Sequence, residues 1–278
     1  MSLTLIAGPC VIESEAHVML MAEALTRLTD RLGLPFVFKA SFHKANRTSV
    51  HSYAGIGVHE AKCIFKRIKS EFGCMTTTDI HECSDAAVLR GAVDVLQVPA
   101  MLSRQTALIA SGAMFQSFLS IKKSQCAHPS EMKHAVAKAH SANPDCKVAL
   151  VERGTMMGYN NLVVDMRSLK IMRDENPSCR IIFDGTHSVQ LPAGAGDKSS
   201  GQREFTPLLC RAAIATGCID GIFLETHDDP AIALCDGPNM VKLDELETLL
   251  NNLQELYTHV ENTTDHNTRP FCVQTPAG

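Results

Sequence analysis

A chain of 278 residues with 45% apolar and 20% charged side chains can bury one large core and is too apolar for extended disorder. A net charge of −4 and a pI near 6.3 argue against nucleic acid as the main partner. There is no apolar stretch of about 18 residues or more and no charged-then-apolar leader, so neither a membrane span nor export is expected and the chain reads as cytoplasmic.

Eight short apolar runs follow one another along the chain: LTLIAGPC (3–10), PFVFKASFHK (35–44), CMTTTDIH (74–81), VDVLQVPA (93–100), SFLSIKKSQ (117–125), KVALVERGT (147–155), RIIFDGTH (180–187) and GIFLETH (221–227). Each ends on charged or amide residues. The stretches between them have helical periodicity. The first, 14–32, carries a Ser14 N-cap, with Gly33 and Pro35 as stop signals. Helices are further predicted over 58–72, 84–91 (opening on a Ser84 cap), 103–113, 130–142, 168–176, 205–217 and 242–260. Strand then helix, eight times over, predicts an α/β fold: a single (β/α)8 TIM barrel over 1–260, with a polar tail at 261–278. The connection 188–204 is Gly- and Ser-rich and long for a strand-to-helix loop, as mobile lids at a barrel mouth often are.

In such a barrel, chemistry sits where the strands end. Cys10 ends run one, His187 ends run seven and Glu225 ends run eight, and ring closure makes strand eight the neighbour of both seven and one. Asp236, in the following LCDGPN loop, can reach the same point. Each residue alone reads as a packing residue. Their convergence predicts a site for one divalent metal ion: zinc, iron, manganese or cobalt. Cys235 competes with Cys10 for the thiolate role and ranks below it, because the Asp236 carboxylate disfavours a second negative charge. Among the 11 cysteines there is no Cys-x-x-Cys pair, and Cys63, Cys83, Cys126, Cys146, Cys179, Cys210 and Cys218 read as small buried hydrophobes.

Cations gather at other strand ends. Lys39 and Lys44 close run two with Arg47 just beyond, Lys122 and Lys123 close run five, and Arg153 closes run six. Strand alternation lets only one of Lys122 and Lys123 point inward. The ring predicts a substrate with at least two negative groups. The competing reading pairs the cations with Asp79, Glu82 and Asp94 as solvated loop charges.

The segments GPCVIES (8–14), FKASFHKANRTS (38–49), DVLQVPAMLSRQT (94–106), IKKSQ (121–125), ERGTMMGYNNLVVDMRS (152–168), FDGTHSVQLP (183–192) and FLETHDDPAIALCDGPN (223–239) resemble the 3-deoxy-D-manno-octulosonate 8-phosphate synthases over nearly the whole chain. The resemblance implies condensation of phosphoenolpyruvate with D-arabinose 5-phosphate, a homotetramer, and a role in lipopolysaccharide inner-core sugar synthesis. Lys122 and Arg153, with Arg104 and Lys44, match the grip on phosphoenolpyruvate. Asn46, Arg47 and Thr48 match the segment that meets arabinose 5-phosphate, and Lys39, Ser41, Asp79 and Gln97 match pocket-lining residues. The implied catalytic set is Lys44, Asn46, His187 and Asp236. Cys10 stands where a metal-free branch of the family has Asn, so the resemblance implies the metal-dependent branch. His43 departs from the usual Asp before the KANR segment. Three alternatives remain open: the related 3-deoxy-D-arabino-heptulosonate 7-phosphate synthase, a metal-dependent aldolase using pyruvate, and a non-catalytic barrel that senses metal or phosphosugar.

Overall fold

Runs of β-branched and aromatic residues bounded by Gly, Pro and Asp become strands, and all eight do so here. The computed structural model describes residues 2–45, 53–192 and 200–263. Its principal strands are β1 (Thr4–Gly8), β2 (Phe36–Lys39), β3 (Met75–Asp79), β4 (Val95–Val98), β5 (Phe118–Lys122), β6 (Lys147–Glu152), β7 (Arg180–Asp184) and β8 (Gly221–His227). They pair in parallel in that order, and β8 closes the ring on β1 with Thr4 opposite Gly221 and Gly8 opposite Glu225. The predicted single barrel is therefore the observed architecture.

The interleaved helices are α1 (Glu15–Leu32), α2 (Val58–Phe72), α3 (Cys83–Leu89), α4 (Thr106–Phe115), α5 (Met132–Ala142), α6 (Arg167–Glu175), α7 (Thr206–Ala215) and α8 (Leu243–Thr263). Ser14 caps α1 by accepting the His17 N–H, and Gly33 ends it in the left-handed region at φ 63°. One expected cap is corrected. Glu82, not Ser84, caps α3, because its side chain meets the backbone of Asp85 while Asp85 accepts the Glu82 N–H in return. Helix α4 starts three residues later than expected, since Ala100–Leu102 form a 3-10 turn and Ser103 donates its hydroxyl back to the Ala100 carbonyl. Helix α8 runs on to Thr263, and the tail beyond it lies outside the described residues.

Apolar side chains sort into two layers. One joins the outer faces of the strands to the helices, with Phe38, Phe65, Phe183 and Leu25 fully buried. The other fills the barrel axis with Ile6, Val37, Val151, Ile182 and Phe223. Burying one such side chain stabilises the fold by about 1.5–3 kcal/mol. Cys146, Cys179, Cys210 and Cys218 are buried as expected, whereas Cys63, Cys83 and Cys126 are exposed on helix surfaces and loops. The ends of the long connection after β7 form a small antiparallel ribbon, Gln190–Leu191 against Ser200–Gly201. The apex of the expected lid, 193–199, lies outside the described residues. No described helix is long and apolar enough to cross a membrane.

Candidate active site

The axial residues set the geometry of the mouth. Because side chains alternate along a strand, the residues two positions after Val37, Ile182 and Phe223 face the same interior: Lys39, Asp184 and Glu225. Gly8 occupies the corresponding place on β1. A side chain there would collide with the Lys39 carbonyl, so the absent Cβ lets β1 and β2 approach beneath Cys10.

Cys10 is buried, and its sulfur lies 3.0 Å from Cys235 Sγ and 3.2 Å from Asp236 Oδ2. Neither cysteine is in a disulfide. Burial, then the adjacent Cys235 and Glu225, push the Cys10 thiol well above its ordinary range. Asp236 adopts a left-handed backbone at φ 50°, uncommon for a residue with a side chain, and this turns its carboxylate back toward the strand ends. Glu225 is fully buried; its Oε1 accepts from Lys39 Nζ at 2.7 Å, and His187 Nε2 lies 3.7 Å from the same oxygen. Burial works against the charge on Glu225, but Lys39, His187, Lys44 and Lys122 outweigh it and hold the carboxyl far below the usual range.

Two triplets of metal-type donors thus share Asp236: Cys10, Cys235 and Asp236, and His187, Glu225 and Asp236, each with its donor atoms within 4.8 Å of one another. All four expected ligands converge, together with Cys235. Glu225 Oε2 is buried with no hydrogen-bond partner among the described residues, and a cation bound beside Cys10 would favour the thiolate that burial disfavours. This mixture of sulfur, imidazole and carboxylate suits a borderline divalent metal.

The cation ring closes over the same donors. Lys39, Lys122 and Arg153 are buried, while Lys44 is half-buried and its charge is felt at Cys10, Glu225 and Asp79. Lys122 Nζ donates to Asp184 Oδ2 at 2.7 Å and lies 3.8 Å from the centre of the Phe223 ring. Burial lowers the Lys122 pKa despite Asp184, and likewise that of Arg153. Lys123 turns away, as alternation requires, and binds the Ser124 and Gly154 carbonyls and Thr155 Oγ1. Asp79 is not a counter-ion on a solvated loop: it accepts from Ser41 Oγ at 2.7 Å and Gln97 Nε2 at 2.5 Å. Glu82 caps α3 and Asp94 pairs with Lys69, so neither neutralises the ring. Arg104 is exposed after β4, and no hydrogen bond or ion pair of its side chain joins it to the cluster among the described residues. Asn46, Arg47 and Thr48 lie outside the described residues. His43, the departure from the expected Asp, stacks on Phe42 and meets His81 edge-on at 5.5 Å.

Sequence reasoning missed two connectors. Asp184 takes both His187 Nδ1, at 2.8 Å, and Lys122. Gln190 accepts from Arg153 at 2.9 Å and donates to Asp236 at 3.2 Å. Each ties one cation of the ring to one metal-type donor. Alternation from Ile182 would have found Asp184; Gln190 lies in the irregular connection, where no periodicity applies.

Residues 1–262 match the DAHP synthetase I family. The chain belongs to that family. Among its relatives, the 2-dehydro-3-deoxyphosphooctonate aldolase of Synechococcus sp. is 50% identical over 251 residues, covering 90% of this chain and 87% of that one. The protein of the same name from Desulfotalea psychrophila is 48% identical over 259 residues, 93% and 91% of the two chains. That from Bartonella tribocorum is 48% identical over 256 residues, 92% and 90%. Membership in the DAHP synthetase I family thus spans the barrel and every described site residue.

Proposed function

We propose that this protein is a 2-dehydro-3-deoxyphosphooctonate aldolase, an aldol-type transferase. It condenses phosphoenolpyruvate, D-arabinose 5-phosphate and water to 3-deoxy-D-manno-octulosonate 8-phosphate and inorganic phosphate, in the cytoplasm, for the inner-core sugar of lipopolysaccharide. The observation that carries the reading is the double link of Lys122 to His187 through Asp184 and of Arg153 to Asp236 through Gln190. It couples an anion grip to a donor set suited to metal. The three relatives bear the same enzyme name.

In this reading Lys122 and Arg153 hold the carboxylate and phosphate of phosphoenolpyruvate, with Arg104 and Lys44 contributing. Asn46, Arg47 and Thr48 meet the pentose phosphate, and Lys39, Ser41, Asp79 and Gln97 line the pocket. Fixing two anions side by side brings C3 of the enol phosphate to the aldehyde carbon, work for positioning and preorganised charge. The C–C bond forms from the enol π-electrons, a water oxygen adds at C2, and the hemiketal phosphate breaks its C–O bond to release phosphate. Asp184 fixes the tautomer of His187 through Nδ1, and Lys44, Asn46, His187 and Asp236 make up the catalytic set. Cys10, His187, Glu225 and Asp236 would hold one divalent ion (zinc, iron, manganese or cobalt), which when bound would supply Lewis acidity toward water or the aldehyde. The assembly is a homotetramer; exposed Met156, Met157 and Tyr159 beside the hairpin after β6 support a contact between copies.

The test is phosphate release from phosphoenolpyruvate, with arabinose 5-phosphate or erythrose 4-phosphate, before and after chelation. Turnover with the pentose phosphate, lost on chelation and restored by a divalent metal, is the expected result. Preference for erythrose 4-phosphate transfers the protein to heptulosonate synthesis. No release with either sugar overturns the enzyme reading.

A further inference from the structure

A second group of metal-type donors lies outside this machinery, where the turn between β1 and α1 meets the end of β8. Glu13 lies in that turn, His17 in the first turn of α1, and His227 is the last residue of β8. Their donor atoms lie within 4.8 Å of one another. The two imidazole rings are 4.4 Å apart between centres. Glu13 Oε1 is 3.5 Å from His227 Nε2 and is held in place by the Leu234 N–H at 2.8 Å. Asp228 Oδ1 stands behind both rings, 2.9 Å from His17 Nε2 and 3.0 Å from His227 Nδ1.

The nitrogen that decides the matter is His227 Nε2. The residue is 2% exposed, and this nitrogen, facing Glu13, has no hydrogen-bond partner among the described residues; His17 Nδ1 is likewise buried without one. Buried polar atoms are seldom left so, and here two belong to adjacent imidazoles beside a fixed carboxylate.

We infer that Glu13, His17 and His227 form a second site for a divalent cation of the zinc type, with Asp228 as the carboxylate behind the ligating imidazoles. Its donors are nitrogen and oxygen only, unlike the thiolate-containing set. His227 Nδ1 lies 3.0 Å from both the Asp229 backbone N and Asp228 Oδ1, an N–H donor and a carboxylate acceptor. Ligation through Nε2 would place the ring proton on Nδ1, donated to Asp228 Oδ1, and the Asp229 N–H, on an exposed residue, would turn to water. A bound ion would clamp the β1–α1 turn, three residues past Cys10, to the segment that leads to Cys235 and Asp236.

Cobalt distinguishes the two sites, because a thiolate ligand adds a charge-transfer band that nitrogen and oxygen ligands lack. The wild-type protein is expected to bind two equivalents of cobalt, with the thiolate band saturating on one of them. Glu13→Gln, which keeps an oxygen for the Leu234 N–H, and His17→Leu are each expected to bind one equivalent and keep the full band. Two equivalents still bound by both variants, or one equivalent bound by the wild type with the full thiolate band and unaffected by Glu13→Gln, overturns the second site. Loss of the band from a protein that still binds an ion sensitive to Glu13→Gln counts against Cys10 as a ligand and leaves this inference standing.

Discussion

Asp184 Oδ2 stands 2.8 Å from His187 Nδ1, three residues further on, and Asp184 Oδ1 accepts the His187 backbone N–H, also at 2.8 Å. The carboxylate therefore fixes both the backbone and the ring of a proposed metal ligand while neutralising Lys122. In Asp184→Asn the amide keeps one acceptor but presents N–H to His187 and Lys122. Metal affinity is expected to fall roughly 10–100-fold, the usual cost of losing a carboxylate behind a ligating imidazole. Isothermal titration with zinc, alongside circular dichroism to confirm an intact barrel, checks it.

Cys10 and Cys235 have adjacent sulfurs but unequal expected roles. Cys10→Ala should abolish metal-dependent turnover and leave the fold unchanged. Cys235→Ala should retain most activity, since Cys10 still supplies a thiolate. Steady-state rates with and without added metal separate the two; a fully active, metal-indifferent Cys10→Ala would sink the ligand assignment.

The legible part of this site follows from strand alternation. Ile6, Val37, Val151, Ile182 and Phe223 fill the axis, and two residues on from each stand Gly8, Lys39, Arg153, Asp184 and Glu225. Eight runs with polar ends were enough for the barrel, its closure and most of the mouth. Asp184 follows from the same rule, two positions after Ile182. Gln190 and the left-handed turn at Asp236 depend on loop geometry with no period to read. The Ser84 cap failed because Glu82 and Asp85 satisfy each other's backbone, and a reciprocal pair outcompetes a single hydroxyl.

Arg153 uses one guanidinium nitrogen on Gln190 Oε1 and lies close to the His187 carbonyl, 3.4 Å away. Lysine keeps the charge but loses the planar fork. Arg153→Lys is expected to raise KM for phosphoenolpyruvate by about tenfold or more, equivalent to about 1.4 kcal/mol, with a smaller effect on KM for the pentose phosphate. Initial rates with each substrate varied in turn provide the test.

Asp79, Asp184 and Glu225 are buried, which opposes their charge, yet neighbouring Lys39, His187, Lys44 and Lys122 hold all three far below the ordinary carboxylate range. A carboxyl with a depressed folded-state pKa adds stability above its unfolded value, about 4, and loses it as pH falls further. The urea midpoint should thus be level near neutrality and drop steeply below about pH 4. Asp79→Asn should flatten that acid limb; an unaltered limb would refute the assignment.

Gly8→Ala places a methyl group on the Lys39 carbonyl, across the β1–β2 pair. Backbone cannot yield as a flexible side chain can, so a loss of about 1–3 kcal/mol or more is expected. Urea denaturation measures it, and an unchanged midpoint would mean the strands separate freely.

The barrel is sealed by pairing its first strand with its last, and Cys10 meets Asp236 across a separation of 226 positions. During synthesis the Cys10 thiol leaves the ribosome well before Glu225, Cys235 and Asp236. A nascent chain therefore has no complete donor set until β8 and the loop after it have emerged, and contacts so distant in sequence form late. Any premature stop before β8 yields a product that retains Cys10 but lacks Glu225, Cys235 and Asp236. The proposed donor set is thus one that only a chain carrying both sides of the barrel seam can complete.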